Sequence, residues 1–210
     1  MHKLSRVMLL AAWLLPALPV QAGFEDGVAA YLKGDYLSAL RELKPLAEQG
    51  HSAAQYHLGL MYGLGRGVPV DPREAVRWYR QAAEQGVAMA QYNLGVLYET
   101  GAGVPQDDRE AVSWFRKAAE RGIVQAHLNL GLMYFQGLGV PELPVVAFVL
   151  FSLAAAQGDR NAIESRALLM PSLSPKELED AQQLLKEMSR PGNFNQALDD
   201  YVRSLARGRR

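Results

Sequence analysis

The feature that most constrains the fold of this chain is a threefold internal repeat with an offset of 36 residues. The middle copy runs from Ala90 to Gly122, and near-copies run from Ala54 to Gly86 and from Ala126 to Gly158. The positions that recur in phase are glycines, tyrosines and tryptophans: Gly59, Gly95 and Gly131; Tyr62, Tyr98 and Tyr134; Gly67, Gly103 and Gly139; Trp78 and Trp114; Gly86, Gly122 and Gly158. A period of this size predicts a solenoid, a propeller or an array.

Each repeat unit predicts two helices separated by a glycine-rich loop. The first helix of the middle unit has an apolar face at Ala90, Leu94, Leu97 and Tyr98. The second helix has one at Ala111, Trp114, Phe115, Ala118 and Ala119. Both sets follow the helical spacing i, i+3, i+4, i+7, i+8 in whole or in part. The loop at residues 101–103 is rich in glycine, which cannot sustain a helix and takes positive φ at little cost.

The ends of the predicted helices carry capping signals. Asp107 is expected to cap the second helix of the middle unit, with Glu110 completing a capping box. Asp71 and Glu74 are expected to do the same one unit earlier, with Pro72 at the first helical position. A glycine closes each second helix, and the small residues Gly95, Ala118 and Ala119 are expected to let paired helices approach closely.

These positions together read A-x-x-x-L-G-x-x-Y-x-x-G-x-G-V-x-x-D-x-x-x-A-x-x-W-x-x-x-A-A-x-x-G, which resembles the Sel-one-like repeat, a relative of the tetratricopeptide repeat. The middle unit and the unit before it match every position. The resemblance implies an all-α protein in which antiparallel helix pairs stack into a right-handed α-solenoid with a C-terminal capping helix. It also implies that the protein acts as an adaptor or scaffold that holds other proteins together.

The repeat phase divides the chain into predicted segments. A tetratricopeptide-like helix pair at residues 23–50 precedes repeats at 51–86, 87–122 and 123–158. Cap helices follow at 159–190, and 191–210 form a last helix and a basic tail, expected to be disordered from Arg207 onward. Pro45 is expected to kink the second helix of the first pair, because proline removes a backbone donor.

The third repeat departs from the pattern in its second helix. Leu143 stands in place of the capping aspartate, and Leu150 stands where the other units have tryptophan. The stretch from Val145 to Ala156 is nearly all apolar, which is typical of a helix buried on more than one side. The C-terminal segment is therefore predicted to fold over this unit.

Residues 1–22 predict a cleaved secretory signal peptide. Lys3 and Arg6 precede a short apolar run, and Val20-Gln21-Ala22 ends in small residues that a signal peptidase accepts. The apolar run is short against the ~20 residues of a membrane span, which disfavours an uncleaved anchor. We therefore expect cleavage after Ala22, a periplasmic or secreted protein, and no integral membrane segment in the mature chain.

Composition narrows the possible functions. Lys and Arg number 22, as do Asp and Glu, so the formal net charge is zero, which argues against bulk nucleic-acid binding. Cleavage removes two basic residues and leaves the mature chain near −2. The chain has no cysteine, which rules out a disulfide framework, a cysteine-ligated metal and a lipoprotein anchor. We expect no cofactor.

Several residues are of types that could carry chemistry or hold a metal. The loop at residues 63–67 resembles a phosphate cradle in its glycines, but it follows a helix and recurs in later units, which favours a turn. His51, His57 and His127 are expected on separate elements, too far apart to share a metal. The chain has no His-Glu-x-x-His or Gly-x-Ser-x-Gly motif, so we predict no enzymatic activity and no metal site.

Two further groups of residues have both a structural and a binding interpretation. Trp78 and Trp114 favour core packing between units over a stacking platform for sugars or bases. The tail arginines favour a solvated terminus over contact with an anionic surface, because no aromatic residues are interleaved with them. These arginines are Arg203, Arg207, Arg209 and Arg210.

The candidate partner-binding surface is the groove lined by the first helices, if the tetratricopeptide geometry holds. Its residues are predicted to point away from the paired second helix: Tyr56, Leu60, Tyr92, Val96, Glu99, Leu128, Leu132, Phe135 and Gln136. Solenoids bind extended or helical peptides on such surfaces. Alternatively, these side chains pack between neighbouring first helices, and the sequence leaves both possibilities open. His57, Asn93 and Asn129, one residue along, are expected to make structural hydrogen bonds.

The leading hypothesis is a non-enzymatic scaffold of the bacterial cell envelope that holds a peptide or protein segment in this groove. One alternative, implied by cysteine-rich relatives in the resembled family, is β-lactam binding or weak β-lactamase activity. The chain lacks both those cysteines and a Ser-x-x-Lys motif. Another alternative is a structural part of an envelope machine such as a flagellar motor or a polysaccharide exporter.

Overall fold

The computed structural model describes residues 18–208, with side chains for residues 23–207. This part of the chain is built from helices α1 (Leu18–Leu32), α2 (Tyr36–Glu48), α3 (Ser52–Leu64), α4 (Pro72–Glu84), α5 (Ala88–Thr100), α6 (Asp108–Glu120), α7 (Val124–Gln136), α8 (Pro144–Ala155), α9 (Arg160–Leu169), α10 (Pro175–Met188) and α11 (Phe194–Gly208). A 3₁₀ turn, Met170–Ser172, follows α9. Helices α1 to α8 pack in four consecutive pairs, and each pair packs on the next. After them, α9 and α10 both pack on α8, and α11 packs on α10. The predicted all-α stack of helix pairs is confirmed.

The predicted signal peptide lies largely outside the described residues. α1 begins at Leu18 and crosses the predicted cleavage point after Ala22.

Within each repeat, an aromatic ring of the second helix packs directly on a glycine of the first. A Cβ added at Gly95 would lie 2.7 Å from the Phe115 ring, and one added at Gly131 would lie 2.6 Å from the Phe151 ring. Real Cβ atoms essentially never come so close to a neighbour. Gly59 has the same relation to Tyr79. These glycines therefore set how closely the two helices of a pair approach, as the sequence predicted for Gly95.

The loop of each repeat lies on the start of the preceding second helix. Gly67 packs on the backbone of Tyr36, Gly139 on that of Asp108, and Gly103 on that of Pro72; each partner is the first residue of its helix. All three glycines have positive φ. An added Cβ at Gly139 would lie 2.5 Å from the Asp108 carbonyl oxygen. Both the backbone conformation and the close approach therefore require glycine, and the contact fixes the register between units.

Aspartate caps α4 and α6 as predicted, but the expected capping box is wrong. The Asp107 carboxylate accepts from the backbone N–H groups of Arg109 and Glu110. The Asp107 N–H, however, donates to the carbonyl of Tyr98 at 3.0 Å. The Glu110 side chain therefore has no cap N–H to accept from. The same loop bond joins Asp71 to Tyr62 one unit earlier, so Glu74 completes no capping box either.

In the first helix pair, Pro45 lies inside α2 and does not end it, and the kink expected at this proline stays a prediction. Asp35 caps α2 through the backbone N–H of Ser38, and Ala39, Leu43 and Leu46 are buried. α2 continues through Pro45 to Glu48. Because the helix continues past this proline, Leu46 lies on its buried face.

The tryptophans are core residues that connect neighbouring units. Trp78 of α4 is buried in the cluster formed by α1, α2 and α3, and Trp114 of α6 is buried in the cluster of α4 and α5. Each ring is covered by a cation of its own helix, Arg77 at 3.9 Å and Lys117 at 3.7 Å from the ring centroid. The prediction of packing between units is confirmed.

The apolar α8 is buried on more than one side, as predicted. Val146, Ala147, Val149 and Leu150 are fully buried, and α9 and α10 pack against the helix. Leu143 gives no side-chain cap, so α8 starts without the aspartate bond of its counterparts.

The last helix folds back on the array. The Arg116 guanidinium of α6 donates to Asn195 at 3.0 Å and to Asp199 at 2.6 Å, while Leu198 is fully buried. α11 extends to Gly208 and so includes Arg207. The expected disorder from Arg207 onward is therefore wrong for residues 207 and 208, and residues 209 and 210 lie outside the described range.

A buried polar position on the first helices changes character at the C-terminal end. Gln55 and Gln91 donate their side-chain amides to the carbonyls of Ala47 and Ala83, both at 3.1 Å. His127 stands at the equivalent position of α7, where its Nδ1 has no hydrogen-bond partner among the described residues. Its ring instead packs at 5.5 Å from that of Phe194 in α11. Burial lowers the pKa of His127 to about 4.

The ring–glycine contact predicts opposite effects for two glycines of α3. Gly59→Ala places a methyl group against the Tyr79 ring and is expected to lower the free energy of unfolding by about 1–3 kcal/mol. Gly63→Ala is the matched control, since its Cβ would meet only ordinary contacts, the nearest at 3.7 Å. The control is expected to be neutral or to stabilise by up to about 1 kcal/mol. Urea unfolding monitored by circular dichroism measures both, and equal effects would contradict the contact.

His127→Gln is expected to reduce acid sensitivity. Because the folded-state pKa of His127 is lowered, the unfolded chain takes up a proton first as pH falls below the usual value of 6.5, and stability is lost down to about pH 4. Glutamine does not titrate, so the loss between about pH 7.5 and about pH 5 should shrink by on the order of 2 kcal/mol. Urea unfolding at the two pH values tests this; an unchanged loss would show that His127 does not titrate as described.

Candidate partner-binding face

The first helices present equivalent residues in parallel rows. With the 36-residue offset, Tyr56, Tyr92 and Leu128 form one row on α3, α5 and α7. Leu60, Val96 and Leu132 form a second, and Gly63, Glu99 and Phe135 form a third. Gln136 follows Phe135 at the end of α7. We call these rows together the first-helix face.

The residues of this face are partly packed and partly open. All are half-buried except Gly63, Phe135 and Gln136, which are exposed. The ring of Tyr92 lies 5.8 Å from that of Phe115, and the ring of Tyr56 lies 6.0 Å from that of Tyr79. Each tyrosine thus packs on the ring that contacts the glycine of its own repeat and leaves part of its surface accessible. Partner binding by these residues remains a prediction.

The face continues onto α9, which sequence analysis did not include. Leu168 lies 36 residues after Leu132, in the second row, and is 82% exposed. It lines a cavity of about 390 Å³ with Leu132, Phe135 and Phe151. Ser165, Leu169 and Ser172 complete the lining. Extending the repeat offset by one more unit would have found Leu168, but the glycine and aromatic landmarks of the pattern end at Gly158.

Glu99 is the one charged side chain on α3, α5 and α7. It is half-buried, and the Asn129 amide of α7 donates to it at 3.5 Å. Burial raises the pKa of the Glu99 carboxyl, and the nearby charge of Asp108 raises it further. This carboxyl therefore lies in surroundings that disfavour its ionised form.

The polar row beside the face makes internal contacts. Asn129 bonds to Glu99, and Asn93 bonds to the Tyr79 hydroxyl. His57 lies between the rings of Tyr31 and Tyr56, each with its centroid 5.5 Å away, and burial lowers its pKa.

The other candidate sites have structural surroundings. In the loop after α3, Arg66 donates to the Tyr31 hydroxyl at 2.5 Å, and the loop joins two helices of one pair. His51 caps α3 by accepting from the Ala54 N–H, a role that sequence analysis missed. Arg203 pairs with Asp200 on α11. Within the described range, no group of three or more His, Cys, Asp or Glu side chains is arranged to hold a metal.

Stacked helix pairs with a repeated loop register define a helical-repeat protein of the α-solenoid class. The Sel1 repeat family model matches residues 52–87, 88–123 and 124–159, just over half of the 210-residue chain. The chain belongs to the Sel1 repeat family. Proteins built from Sel1 repeats generally mediate protein–protein interactions, and these scaffolds are generally non-enzymatic.

Two solved structures are similar. One is a protective antigen present in uropathogenic Escherichia coli strains that displays an SLR fold, with 42% identity and a TM-score of 0.65; the match covers 68% of this chain and 32% of that one. The other is a Sel1 repeat protein from Oxalobacter formigenes, with 36% identity and a TM-score of 0.66, covering 69% of this chain and 60% of that one. The chain thus spans less than two thirds of either. No curated protein matches the sequence.

Among the described helices, none combines the length and apolar character needed to cross a membrane.

The setting of Glu99 predicts that Glu99→Gln stabilises the fold at neutral pH. A carboxyl whose pKa is raised in the folded state contributes stability at low pH and loses it as pH rises through that pKa. The neutral glutamine avoids this loss, so the variant should gain up to about 1 kcal/mol at about pH 7, a small effect because the carboxyl is partly solvated. Urea unfolding at neutral pH and at about pH 3.5 measures the difference. It should vanish in acid; a variant less stable than the parent at neutral pH would contradict the prediction.

Proposed function

We propose that this chain is a non-enzymatic interaction scaffold of the bacterial cell envelope that binds a protein segment along the first-helix face. The observation that carries the proposal is the open apolar end of this face. Phe135 is 45% exposed and Leu168 is 82% exposed on either side of the 390 Å³ cavity. Exposed apolar clusters of this kind mark interaction sites. The repeat architecture supports the proposal, because solenoids bind extended partners on their concave faces.

The envelope location rests on the N-terminal sequence. A basic start, a short apolar run and small residues at positions 20 and 22 fit export and cleavage after Ala22. Fractionation of the producing cell, followed by N-terminal sequencing, tests this part of the proposal. We expect a periplasmic or secreted protein that begins at Gly23. A chain found in the cytosol with its first 22 residues intact would contradict it.

The double variant Phe135→Glu with Leu168→Glu tests the binding surface. Both side chains are exposed, so the changes remove little packing and should leave the fold intact. The tagged full chain is expressed in its own cell, cross-linked in vivo and purified, and the attached proteins are identified by mass spectrometry. We expect the double variant to lose at least about 90% of its specific partner, since two buried charges in an apolar contact cost well over the 1.4 kcal/mol of a tenfold change.

The matched control is Leu32→Glu with Leu37→Glu. These leucines, 78% and 67% exposed, lie at the turn between α1 and α2, away from the cavity. The control should retain the partner at the parental level. Equal recovery by parent and double variant would exclude the open end of the first-helix face as the binding surface.

A further inference from the structure

The first-helix face carries one unneutralised charge. α3, α5 and α7 contain no Lys, Arg or Asp, and Glu99 is their only Glu. In the described part of the chain, no Lys or Arg nitrogen lies within 4.0 Å of its carboxylate. Its neighbours are neutral or acidic: Tyr92, Asn129 and Asp108. The described part of the chain thus places a half-buried carboxyl in an otherwise uncharged apolar face and supplies no cation to it.

The position of this carboxyl relates it to the open cavity. Glu99 and Phe135 are equivalent residues on the neighbouring first helices α5 and α7, and Phe135 forms one wall of the cavity. Packed helices lie roughly 8–10 Å apart. An anion and an apolar pocket are therefore placed about one helix spacing from each other, a separation that about three residues of an extended peptide cover.

We propose that the partner segment carries a Lys or Arg about three residues from a bulky apolar side chain. The cation pairs with Glu99, and the apolar side chain enters the cavity beside Leu132, Phe135 and Leu168. This inference rests on the proposed function and adds the chemical class of the partner.

The physical basis is that the Glu99 carboxylate, which is partly shielded from water, selects a basic residue in the partner segment. A carboxylate shielded from water attracts a cation more strongly than one in bulk solvent does. A neutral partner residue would cover Glu99 without replacing its lost hydration, and an acidic residue would be repelled. We expect a preference for Lys over Gln at this partner position of about tenfold, which corresponds to about 1.4 kcal/mol.

The test is selection from phage-displayed random 12-residue peptides against the full chain as processed and purified from the producing cell. Three charge variants are compared with the parent: Glu99→Gln, Glu99→Lys and Glu120→Lys. Glu120, exposed at the end of α6, is the matched control, because its change alters net charge equally without touching the first-helix face. Circular dichroism melting confirms that each variant is folded.

Parent and Glu120→Lys should both enrich peptides with Lys or Arg near a bulky apolar residue. Glu99→Gln should lose the basic preference, and Glu99→Lys should enrich Asp or Glu in its place. A synthetic peptide from the selection should bind the parent about tenfold more tightly than its Lys-to-Gln counterpart does. The two peptides should bind the Glu99→Gln variant equally well.

Four results would overturn the inference. The first is that the parent enriches apolar peptides with no preference for charge, and the second is that Glu99→Gln keeps the preference for Lys or Arg. Either result would contradict the inference but not the proposed binding surface. No enrichment over the Phe135→Glu, Leu168→Glu variant would count against the inference and the proposed function together. A parental dimer that Glu99→Lys converts to a monomer would place a second copy of this chain on the face instead of a partner segment.

Discussion

The contact between an aromatic ring and a glycine inside each repeat is the constraint on which the rest of this structure depends. Gly59, Gly95 and Gly131 have no side chain where the rings of Tyr79, Phe115 and Phe151 lie. In the N-terminal pair, Leu43 takes the place of the ring against Gly27, where an added Cβ would lie 2.7 Å away. Because interiors are close-packed, a displacement of one helix pair would be passed to the next. A close contact with a glycine, made by a ring in the three repeats and by leucine in the first pair, thus sets the helix spacing in the four pairs from α1 to α8.

The alignment of successive repeat units depends on a second set of contacts, those between each loop and the preceding unit. Loop glycines rest on the first residue of the preceding second helix. One backbone bond in each repeat holds the loop to its own first helix: Asp71 to Tyr62, Asp107 to Tyr98 and Leu143 to Tyr134. Together these contacts leave successive units little freedom to slide. Residues 36 apart therefore lie at equivalent places on successive units, as Gly63, Glu99 and Phe135 do, and a change at one of them alters a defined place on the first-helix face.

The sequence predicted the features that recur with the 36-residue period. It did not predict the features that depend on contacts between distant parts of the chain. Helix faces, loop glycines and the inward position of Trp114 follow from local spacing, so they were predictable. The capping box at Glu110 was not, because its N–H partner was taken by a carbonyl nine residues earlier in the chain. The docking of α11 includes a bond between Arg116 and Asp199, which are 83 residues apart in the chain. Leu168 lay one offset beyond the recognisable pattern, where no glycine or aromatic landmark marked the phase.

The departures of the third repeat lie on the side that the C-terminal helices cover. Leu143 and Leu150 replace polar and aromatic pattern residues and lie in the core shared with α10 and α11, while His127 gives up a backbone bond and contacts Phe194. The α10 and α11 cover thus closes the apolar end of the array. Within residues 18–208, no helix buries Phe135 on the first-helix face of the same unit in this way, and 45% of its surface is exposed. Two helices, α10 and α11, thus cover one apolar surface of the third repeat, while the first-helix face stays open. The helices that end the stack are therefore separate from the surface that we propose binds a partner.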